Sequence, residues 1–202
     1  MIAVIDYKAG NLTSVVKALQ YPGAETLVTQ DPEVVRRAAK VVLPGVGHFR
    51  STALLNELGI TEAVRDAVKT GALFLGVCVG LQWLFEGSTE APETAGLGHF
   101  AGRCERFPAL FEGAELKSPH VGWNSLDTVR EDSRLLRGVA RGGFVYYTHS
   151  WRAPVVSATA SASNYGGAFT GVVEAENVMG VQFHPEKSSS VGLQVLKNFL
   201  EL

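Results

Sequence analysis

One cysteine of this chain lies in a pattern that could make it a nucleophile. Cys78 is at the centre of residues 76–80 (GVCVG), directly after the apolar run 72–77 and before the helical pattern 81–86. A strand, a sharp turn and a helix form the context of a nucleophile elbow, where small residues on either side of the nucleophile relieve crowding. Without that context the pattern fits a buried structural cysteine equally well; with it, catalysis is favoured.

Two backbone segments could stabilise an oxyanion beside this sulfur. At an elbow the sulfur faces a helix N-terminus, which favours a thiolate, and the N–H of Val79 points into the same space. A glycine-rich loop, residues 44–47 (PGVG), follows another apolar run. Val46 or Gly47 could supply a second N–H, and Gly45 allows substrate to approach the backbone closely. Taken alone, this loop is better explained as an ordinary turn.

A histidine and a carboxylate that could complete the chemistry lie within residues 182–188 (QFHPEKS). Pro185 favours extended geometry at His184, and residues two apart in an extended segment point to the same side. Glu186 can then hold the imidazole in one tautomer, as in a catalytic triad. Alone, the pair is more often a histidine at a strand end beside a solvated glutamate. Together with Cys78, which needs a base from elsewhere in the chain, it is far more specific.

The composition argues against several other classes of protein. The 202 residues carry a net charge of −2 without a block of like charges, so we expect neither nucleic-acid binding nor membrane binding. Residues 1–6 read as a strand rather than a signal peptide, and the two cysteines then favour a reduced, cytoplasmic setting. The five histidines lack the spacing of a zinc site, and no dinucleotide or phosphate-loop motif is present. We therefore expect no metal and no cofactor.

The elements that must position these residues follow an alternating pattern in the first half of the chain. Strands are predicted at residues 2–5, 40–43 (ending before Pro44 and Gly45) and 72–77, and helices at 11–20, around Leu54 and at 64–68. Strands that alternate with helices indicate βαβ units and a parallel sheet covered on both faces.

The second half reads as short strands separated by turn residues. They are predicted at residues 103–107, 126–129, 144–147, 155–160, 170–175 and 178–183, followed by a helix at 188–202 with an N-cap among serines 188–190. We expect one domain over residues 1–202. Its predicted fold is α/β, with an open, mostly parallel central sheet, flanking helices and an antiparallel extension.

Taken in order, the motifs PGVG, GVCVG and HPE resemble the signatures of the class I (triad) glutamine amidotransferase family. The resemblance implies a flavodoxin-like fold and a glutaminase that works through Cys78, His184 and Glu186. It also implies that Gln82, which continues the elbow, contacts the polar end of the substrate.

Four further motifs resemble one group within that family, the glutaminase subunits of imidazole glycerol phosphate synthases in histidine biosynthesis. They are residues 6–12 (DYKAGNL), 119–124 (PHVGWN), 147–151 (YTHSW) and 182–189 (QFHPEKSS). The resemblance implies that Ser150 and Trp151 bind the amino-acid end of glutamine. Lys8 departs from the group, which usually has glycine there; it lies outside the triad, so a local turn or the partner surface would be affected.

The same resemblance implies a partner for the chain. It is a (β/α)8-barrel cyclase subunit that forms a heterodimer with the glutaminase, receives its ammonia and makes imidazole glycerol phosphate and AICAR. Ammonia released into water is protonated and loses its nucleophilicity, so it must be delivered directly. Asn11, Trp123 and Lys187 are the implied interface residues, although an exposed tryptophan is also often plain packing.

Three other functions stay open on the sequence. The chain could be the glutaminase of a different ammonia-using synthase, since it does not encode the acceptor. It could be another cysteine hydrolase with the same elbow, which specificity for glutamine would distinguish. It could also be a non-catalytic partner-binding subunit, but the intact cysteine, histidine and glutamate set argues against that.

Overall fold

The computed structural model describes residues 1–9 and 11–202, so Gly10 of the 6–12 motif lies outside the described residues. The strands in this part of the chain are β1 (Ile2–Ile5), β2 (Thr26–Thr29), β3 (Lys40–Gly45), β4 (Leu73–Cys78), β5 (Gly87–Ser88), β6 (Arg103–Arg106), β7 (Leu110–Phe111), β8 (Ala114–Glu115), β9 (His120–Ser125), β10 (Phe144–His149), β11 (Trp151–Arg152), β12 (Thr159–Asn164), β13 (Ala168–Ala175) and β14 (Val178–Val181).

Helices connect and flank these strands. They are α1 (Leu12–Gln20), α2 (Pro32–Arg37), α3 (Ala53–Glu57), α4 (Ile60–Lys69), α5 (Val79–Trp83) and α6 (Ser189–Glu201), with 3₁₀ turns at Phe49–Thr52 and Pro185–Lys187.

Seven strands form the main sheet, in the order β12-β13-β14-β4-β3-β1-β2. The five strands from β14 to β2 pair parallel with one another, whereas β13 pairs antiparallel with both β12 and β14. The predicted open, mostly parallel sheet with an antiparallel extension is thus confirmed. Strand β4, which ends at Cys78, lies at the centre of the sheet.

The core covers both faces of this sheet. Every residue of β1 and of β14 is buried, which a strand can achieve only when helices or loops lie above and below it. Helix α1 packs against α6, and α2 packs against α4. Phe74 of β4 and Trp83 of α5 are both buried, with ring centroids 6.1 Å apart. Burial of such side chains stabilises by about 1.5–3 kcal/mol each, so the elbow helix is held firmly against its own strand.

The sequence pattern predicts neither strand β2 nor helix α2, and it also misses the two-residue strands β5, β7, β8 and β11. Strand β2 lies at the edge of the sheet, and its central residues Leu27 and Val28 are exposed, so it lacks a continuous buried pattern. Helix α2 is short, but the residues at its start have the pattern of a helix N-terminus. Asp31 accepts a hydrogen bond from the N–H of Glu33 at 2.8 Å, and Pro32 is the first helical residue, as is typical of helix N-termini.

Three strand predictions were wrong in their bounds. Strand β3 does not end before Pro44 but runs to Gly45; its pairing with β1 ends at Val42, so beyond that point it pairs only with β4. A proline is tolerated where one side of a strand has no partner. The strand predicted at 126–129 is instead β9, and the one predicted at 155–160 begins only at Thr159.

The predicted closing helix is confirmed as α6, and its N-cap is one of the three predicted serines. Ser188 occupies the N-cap position without a capping side-chain bond, because its hydroxyl is used elsewhere.

Smaller sheets complete the second half of the chain. Strands β9 and β10 pair antiparallel, β5, β6 and β11 form a second small sheet, and β7 pairs with β8. The N–H of His184 bonds to the carbonyl of Tyr146 at 2.9 Å, which ties β10 to the segment that follows β14. In the described part of the chain, no helix is both long and apolar enough to cross a bilayer.

Lys8 adopts a left-handed backbone conformation, with φ at 61°. Its N–H bonds to Oδ1 of Asp6 at 2.9 Å. Glycine tolerates positive φ best, so the local turn explains why a glycine would suit this position.

Candidate active site

The predicted elbow is present at Cys78. The residue ends β4 and directly precedes α5, with φ at 55° and ψ at −107°. A non-glycine residue in such a conformation stores about 1–3 kcal/mol of strain and is held by its surroundings. The turn leaves Cys78 only 3% exposed.

Two glycines make the turn possible. A Cβ on Gly76 would lie 2.3 Å from the carbonyl oxygen of Gly80, and a Cβ on Gly80 would lie 2.0 Å from the carbonyl oxygen of Leu43 in β3. Both contacts are with backbone, which cannot move aside easily. A residue larger than glycine at position 80 would therefore collide with β3.

The histidine and carboxylate pair is hydrogen-bonded and buried. Nδ1 of His184 lies 3.0 Å from Oε1 of Glu186, and the two side chains are 3% and 1% exposed. A carboxylate oxygen accepts, so Nδ1 carries the proton and Nε2 is left to exchange one with another group. Burial lowers the pKa of His184, but hydrogen bonds to Cys78 and Glu186, with the negative charges of both, raise it well above its usual value.

Ser188 fixes the backbone that carries this base. Its hydroxyl donates to the carbonyl of His184 at 2.6 Å and accepts from the N–H of Tyr146 at 2.9 Å. The segment after β14 is thus bonded to Tyr146 of β10 by two groups, the N–H of His184 and the hydroxyl of Ser188.

Most of the residues singled out in the sequence line one cavity of about 420 Å³. Those that do are Asn11, Val46, Gly47, Cys78, Val79, Gln82, Ser150, Trp151, His184 and Lys187. Gly45, Trp123 and Glu186 are not among its lining residues. Glu186 is in contact with the lining residue His184, and Trp123 is 52% exposed on β9.

The glycine-rich loop begins directly beside the nucleophile. Gly45 is the register partner of Cys78 in the β3–β4 ladder, and Val46 and Gly47 continue from there into the cavity wall. Gly47 has φ at 101°, which favours glycine. A Cβ on Gly45 would lie 2.4 Å from the hydroxyl of Tyr7, so Gly45 leaves room for a neighbouring side chain rather than lining the cavity.

Sequence reasoning missed several residues of the site. Gln182 is fully buried; its Nε2 lies 3.7 Å from Sγ of Cys78 and its Oε1 accepts from Nε2 of Gln82 at 3.2 Å. Sγ of Cys78 also lies 3.9 Å from the carbonyl of Thr148. Gln182 carried a usable signal, since it is a polar residue in an apolar run, two positions before His184.

Glu90 is a second residue that the sequence did not reveal. It lines the cavity, and its Oε2 accepts from the N–H of Phe49 at 2.8 Å. A carboxylate at this point suits the positive end of an amino acid. Within residues 1–9 and 11–202, no group of three or more His, Cys, Asp and Glu residues is arranged to hold a metal ion.

Comparison with known sequences identifies the same family that the motifs resemble. The family model described as glutamine amidotransferase class-I matches residues 3–202. A protein of Syntrophotalea carbinolica, named imidazole glycerol phosphate synthase subunit HisH, is 45% identical over 207 residues, covering 98% of this chain and 98% of that protein. The protein of the same name from Methanothermobacter thermautotrophicus is 43% identical over 203 residues, covering 100% of this chain and 98% of its own length.

Solved structures share the fold at low sequence identity. A crystal structure of a glutamine amidotransferase covers 100% of this chain and 98% of its own, with a TM-score of 0.74 and 19% identity. The structure of PurLQS from Thermotoga maritima covers 99% of this chain and 97% of its own, with a TM-score of 0.71 and 18% identity.

Proposed function

Because the chain belongs to the class I glutamine amidotransferase family, we propose that it is the glutaminase subunit of an imidazole glycerol phosphate synthase. It hydrolyses glutamine to glutamate and ammonia, and it supplies the ammonia to a cyclase subunit in histidine biosynthesis. The assignment to this synthase is supported by the two full-length relatives of that name, and one observation of the structure carries the glutaminase activity. The elbow cysteine and a buried, carboxylate-bonded histidine border the same cavity of about 420 Å³.

Cys78 is the proposed nucleophile. Its thiolate attacks the side-chain amide carbon of glutamine, and a C–S bond forms while the carbonyl becomes an oxyanion. Collapse of this intermediate breaks the C–N bond, and His184 gives a proton to the leaving nitrogen, so ammonia departs. Water, deprotonated by His184, then attacks the thioester and releases glutamate and the thiolate.

Glu186 acts through His184. Its bond to Nδ1, at 3.0 Å, keeps the imidazole in the tautomer that presents Nε2 to the cavity, and its charge stabilises the imidazolium. Gln182 approaches the sulfur from another side, with Nε2 at 3.7 Å, and its amide hydrogen can stabilise a thiolate.

Backbone N–H groups are the proposed oxyanion hole. The N–H of Val79 follows the nucleophile, and the peptides of Val46 and Gly47 lie in the wall of the same cavity. Removal of one such donor costs about 3–4 kcal/mol of barrier in comparable sites, so both groups need to point at the oxyanion for full activity.

The rest of the cavity suits the amino-acid end of glutamine. Glu90 offers a carboxylate for the α-ammonium, and Ser150, Trp151 and Gln82 offer polar groups nearby. Both amide hydrogens of Gln82 have acceptors in the protein, Trp151 O at 2.7 Å and Gln182 Oε1 at 3.2 Å. Its oxygen is therefore the atom available for substrate.

The proposed partner is a (β/α)8-barrel cyclase that forms a heterodimer with this chain. Support comes from an exposed surface beside the cavity. Trp123 packs edge-on against Tyr146 at 6.0 Å, and Nζ of Lys187 lies 5.9 Å from the Tyr146 ring. Lys187 and Asn11 also line the cavity, so a partner on this surface would receive ammonia directly. A cytoplasmic location is part of the proposal, because the nucleophile must remain reduced.

The test is release of ammonia from glutamine by the purified chain. It is measured alone, then with the barrel cyclase and its nucleotide ligand, with Cys78→Ala as control. We expect strong stimulation by the partner that Cys78→Ala abolishes. High activity without stimulation would keep the glutaminase but point to another synthase. Absence of activity in every arm, with Cys78 inert to a glutamine-like electrophile, would refute the proposal.

A further inference from the structure

A chain of hydrogen bonds leads from the candidate substrate pocket into the β9–β10 sheet. The carbonyl of Trp151 accepts from Nε2 of Gln82 at 2.7 Å and lies 2.9 Å from Nδ1 of His149. Nε2 of His149 lies 3.1 Å from Nδ1 of His120, and Nε2 of His120 lies 3.3 Å from Nδ2 of Asn124. His149 and His120 are 6% and 4% exposed.

The partners determine the tautomer of each imidazole. A carbonyl oxygen only accepts, so Nδ1 of His149 carries the proton and Nε2 of the neutral ring accepts. Nδ1 of His120 must then donate to it, and Nε2 of His120 accepts from the amide of Asn124. Both rings are neutral at physiological pH, because burial lowers the pKa of His120 to about 4 and that of His149 to about 3. Each residue of the chain therefore donates a hydrogen bond to the next one, from Asn124 through His120 and His149 to the Trp151 carbonyl.

The surroundings enforce the neutral state. His120 stacks on Tyr165 with ring centroids 4.0 Å apart, and His149 meets the edge of Phe107 at 5.1 Å. The charged groups that act on His149 are His184 and Arg152, and a positive charge on either lowers its pKa further, as does one on His120. The backbone bond to Trp151 acts in the opposite direction.

Two apolar side chains could fill this space without the cost of burying imidazoles. The polar pair instead fixes a carbonyl that also holds Gln82, and Gln82, Trp151 and His149 all line the cavity. We propose that His149, oriented by His120, is a positioning residue that holds the Trp151 carbonyl, and through it Gln82, in the geometry that binds the amino-acid end of glutamine. This inference rests on the proposed function.

Two substitutions at position 149 separate positioning from simple packing. An asparagine amide overlaps the place of Nδ1, so His149→Asn retains a donor for the Trp151 carbonyl. A glutamine amide overlaps the place of Nε2, so His149→Gln withdraws that donor while keeping a polar side chain.

In the complex with the cyclase subunit and its nucleotide ligand, His149→Gln is expected to raise KM for glutamine about tenfold and to change kcat less than about threefold, because a ground-state contact is lost. His149→Asn is expected to keep KM within about threefold of the wild type.

Reaction of Cys78 provides a readout that does not depend on turnover. Alkylation of the His149→Gln variant by a glutamine-like chloroketone should slow about tenfold, while alkylation by iodoacetamide should keep its wild-type rate. Asn124→Asp removes the last donor of the chain at a half-buried position. It should raise KM about fivefold, beyond the range expected for His149→Asn, even if substitutions at position 149 fold poorly.

Wild-type KM in His149→Gln and Asn124→Asp would overturn the inference. Equal effects of His149→Asn and His149→Gln, with iodoacetamide affected as strongly as the chloroketone, would also overturn it, since the role would be structural. An inactive wild-type complex would overturn the proposed function and this inference together, and that result is distinct from an active wild type with unaffected variants.

Discussion

At the scale of single residues, Glu186 is unusual because a buried carboxylate has so few partners. One oxygen bonds to His184, whereas Oε2 is buried without a hydrogen-bond partner among the residues that the structure describes. An under-satisfied buried charge is costly to fold. The cost is offset because the charge stabilises the protonated form of His184, whose pKa is raised by Cys78 and Glu186.

Glu186→Gln keeps the shape of this side chain and removes the charge. We expect kcat of the partner-activated glutaminase to fall by about 10²–10⁴-fold, in the range seen when the orienting member of a triad is altered. The free energy of unfolding should fall as well, because the buried imidazolium of His184 loses its charged partner. Ammonia release and urea unfolding measure the two effects, and near-normal kcat would show that Glu186 has no catalytic part.

Lys8 gives a prediction for stability alone. Its φ of 61° costs a residue with a Cβ about 1–2 kcal/mol relative to glycine. Lys8→Gly should therefore raise the free energy of unfolding by about 1 kcal/mol, measured by urea titration. Lys17→Gly, in the last turn of α1, should lower it by up to about 1 kcal/mol. A loss of stability in Lys8→Gly would mean that the lysine side chain contributes more than its backbone costs.

Some residues of the site can be predicted from the sequence and others cannot. Cys78, His184 and Glu186 carry local signals, because an elbow and an extended His-x-Glu segment restrict geometry within a few positions. Gln182 and His149 act through contacts with residues far away in the chain, and a single sequence does not contain those distances. The sequence predicts that Gly45 binds substrate, but in the structure its lack of a side chain leaves room for the hydroxyl of Tyr7.

At the scale of elements, the base depends on how the segment after β14 is fastened to β10. Ser188 holds both the His184 carbonyl and the Tyr146 N–H. Without its hydroxyl, a buried N–H and a buried carbonyl would each lose a partner.

Ser188→Ala is expected to destabilise the protein by about 1–3 kcal/mol and to lower kcat, because His184 is no longer fixed. Ser190→Ala is the matched control, since that serine is exposed in the first turn of α6. Thermal unfolding and ammonia release are the measurements. Identical behaviour of the two variants would contradict the anchoring role of Ser188.

The elements that the sequence predicted well are the deeply buried ones. Strands β1, β4 and β14 are nearly continuous apolar runs, and the apolar residues of α6 recur with a helical period. In these elements, the requirement for burial is visible in the sequence as a pattern of apolar residues. Strand β2 is exposed at the sheet edge and lacked that pattern. Strand β9 has a single buried residue, His120, and contains Gly122 with φ at 133°. Its sequence therefore lacks a buried apolar pattern, which explains why the strand was placed too late in the chain.

At the scale of the whole molecule, the neutral pair His120 and His149 should make stability depend on pH. Their pKa values of about 4 and about 3 in the folded state lie below the unfolded value of about 6.5. Between these values the unfolded chain binds more protons, so stability rises with pH. The contribution is complete above about pH 6.5 and is lost as the pH falls toward the folded values.

Urea unfolding between about pH 7 and pH 5 tests this dependence. Each histidine should contribute a slope of up to about 1.4 kcal/mol per pH unit. The variant His149→Asn, which lacks one titrating ring, should show a shallower slope than the wild type. Equal slopes would mean that His149 is not forced to be neutral by folding.

The exposed surface around Trp123 gives a prediction for assembly. Trp123 is 52% exposed and packs edge-on against Tyr146, whose ring lies 5.9 Å from Nζ of the cavity residue Lys187. Trp123→Ala should weaken binding of the cyclase subunit at least about tenfold, since buried tryptophans often dominate interfaces. Leu110→Ala is the control, because Leu110 is 62% exposed in a different sheet. Calorimetric titration measures both, and equal affinities would remove Trp123 from the interface.

The order of strands in the main sheet also governs when the chain becomes active during translation. The nucleophile at the end of β4 leaves the ribosome with its neighbour β3 already made, but the other neighbour, β14, is synthesised only later. At typical elongation rates, the delay before His184 emerges is on the order of ten seconds. Throughout that interval the nascent chain has a thiol and no base. Unfinished or prematurely terminated chains therefore cannot consume the glutamine of the cell.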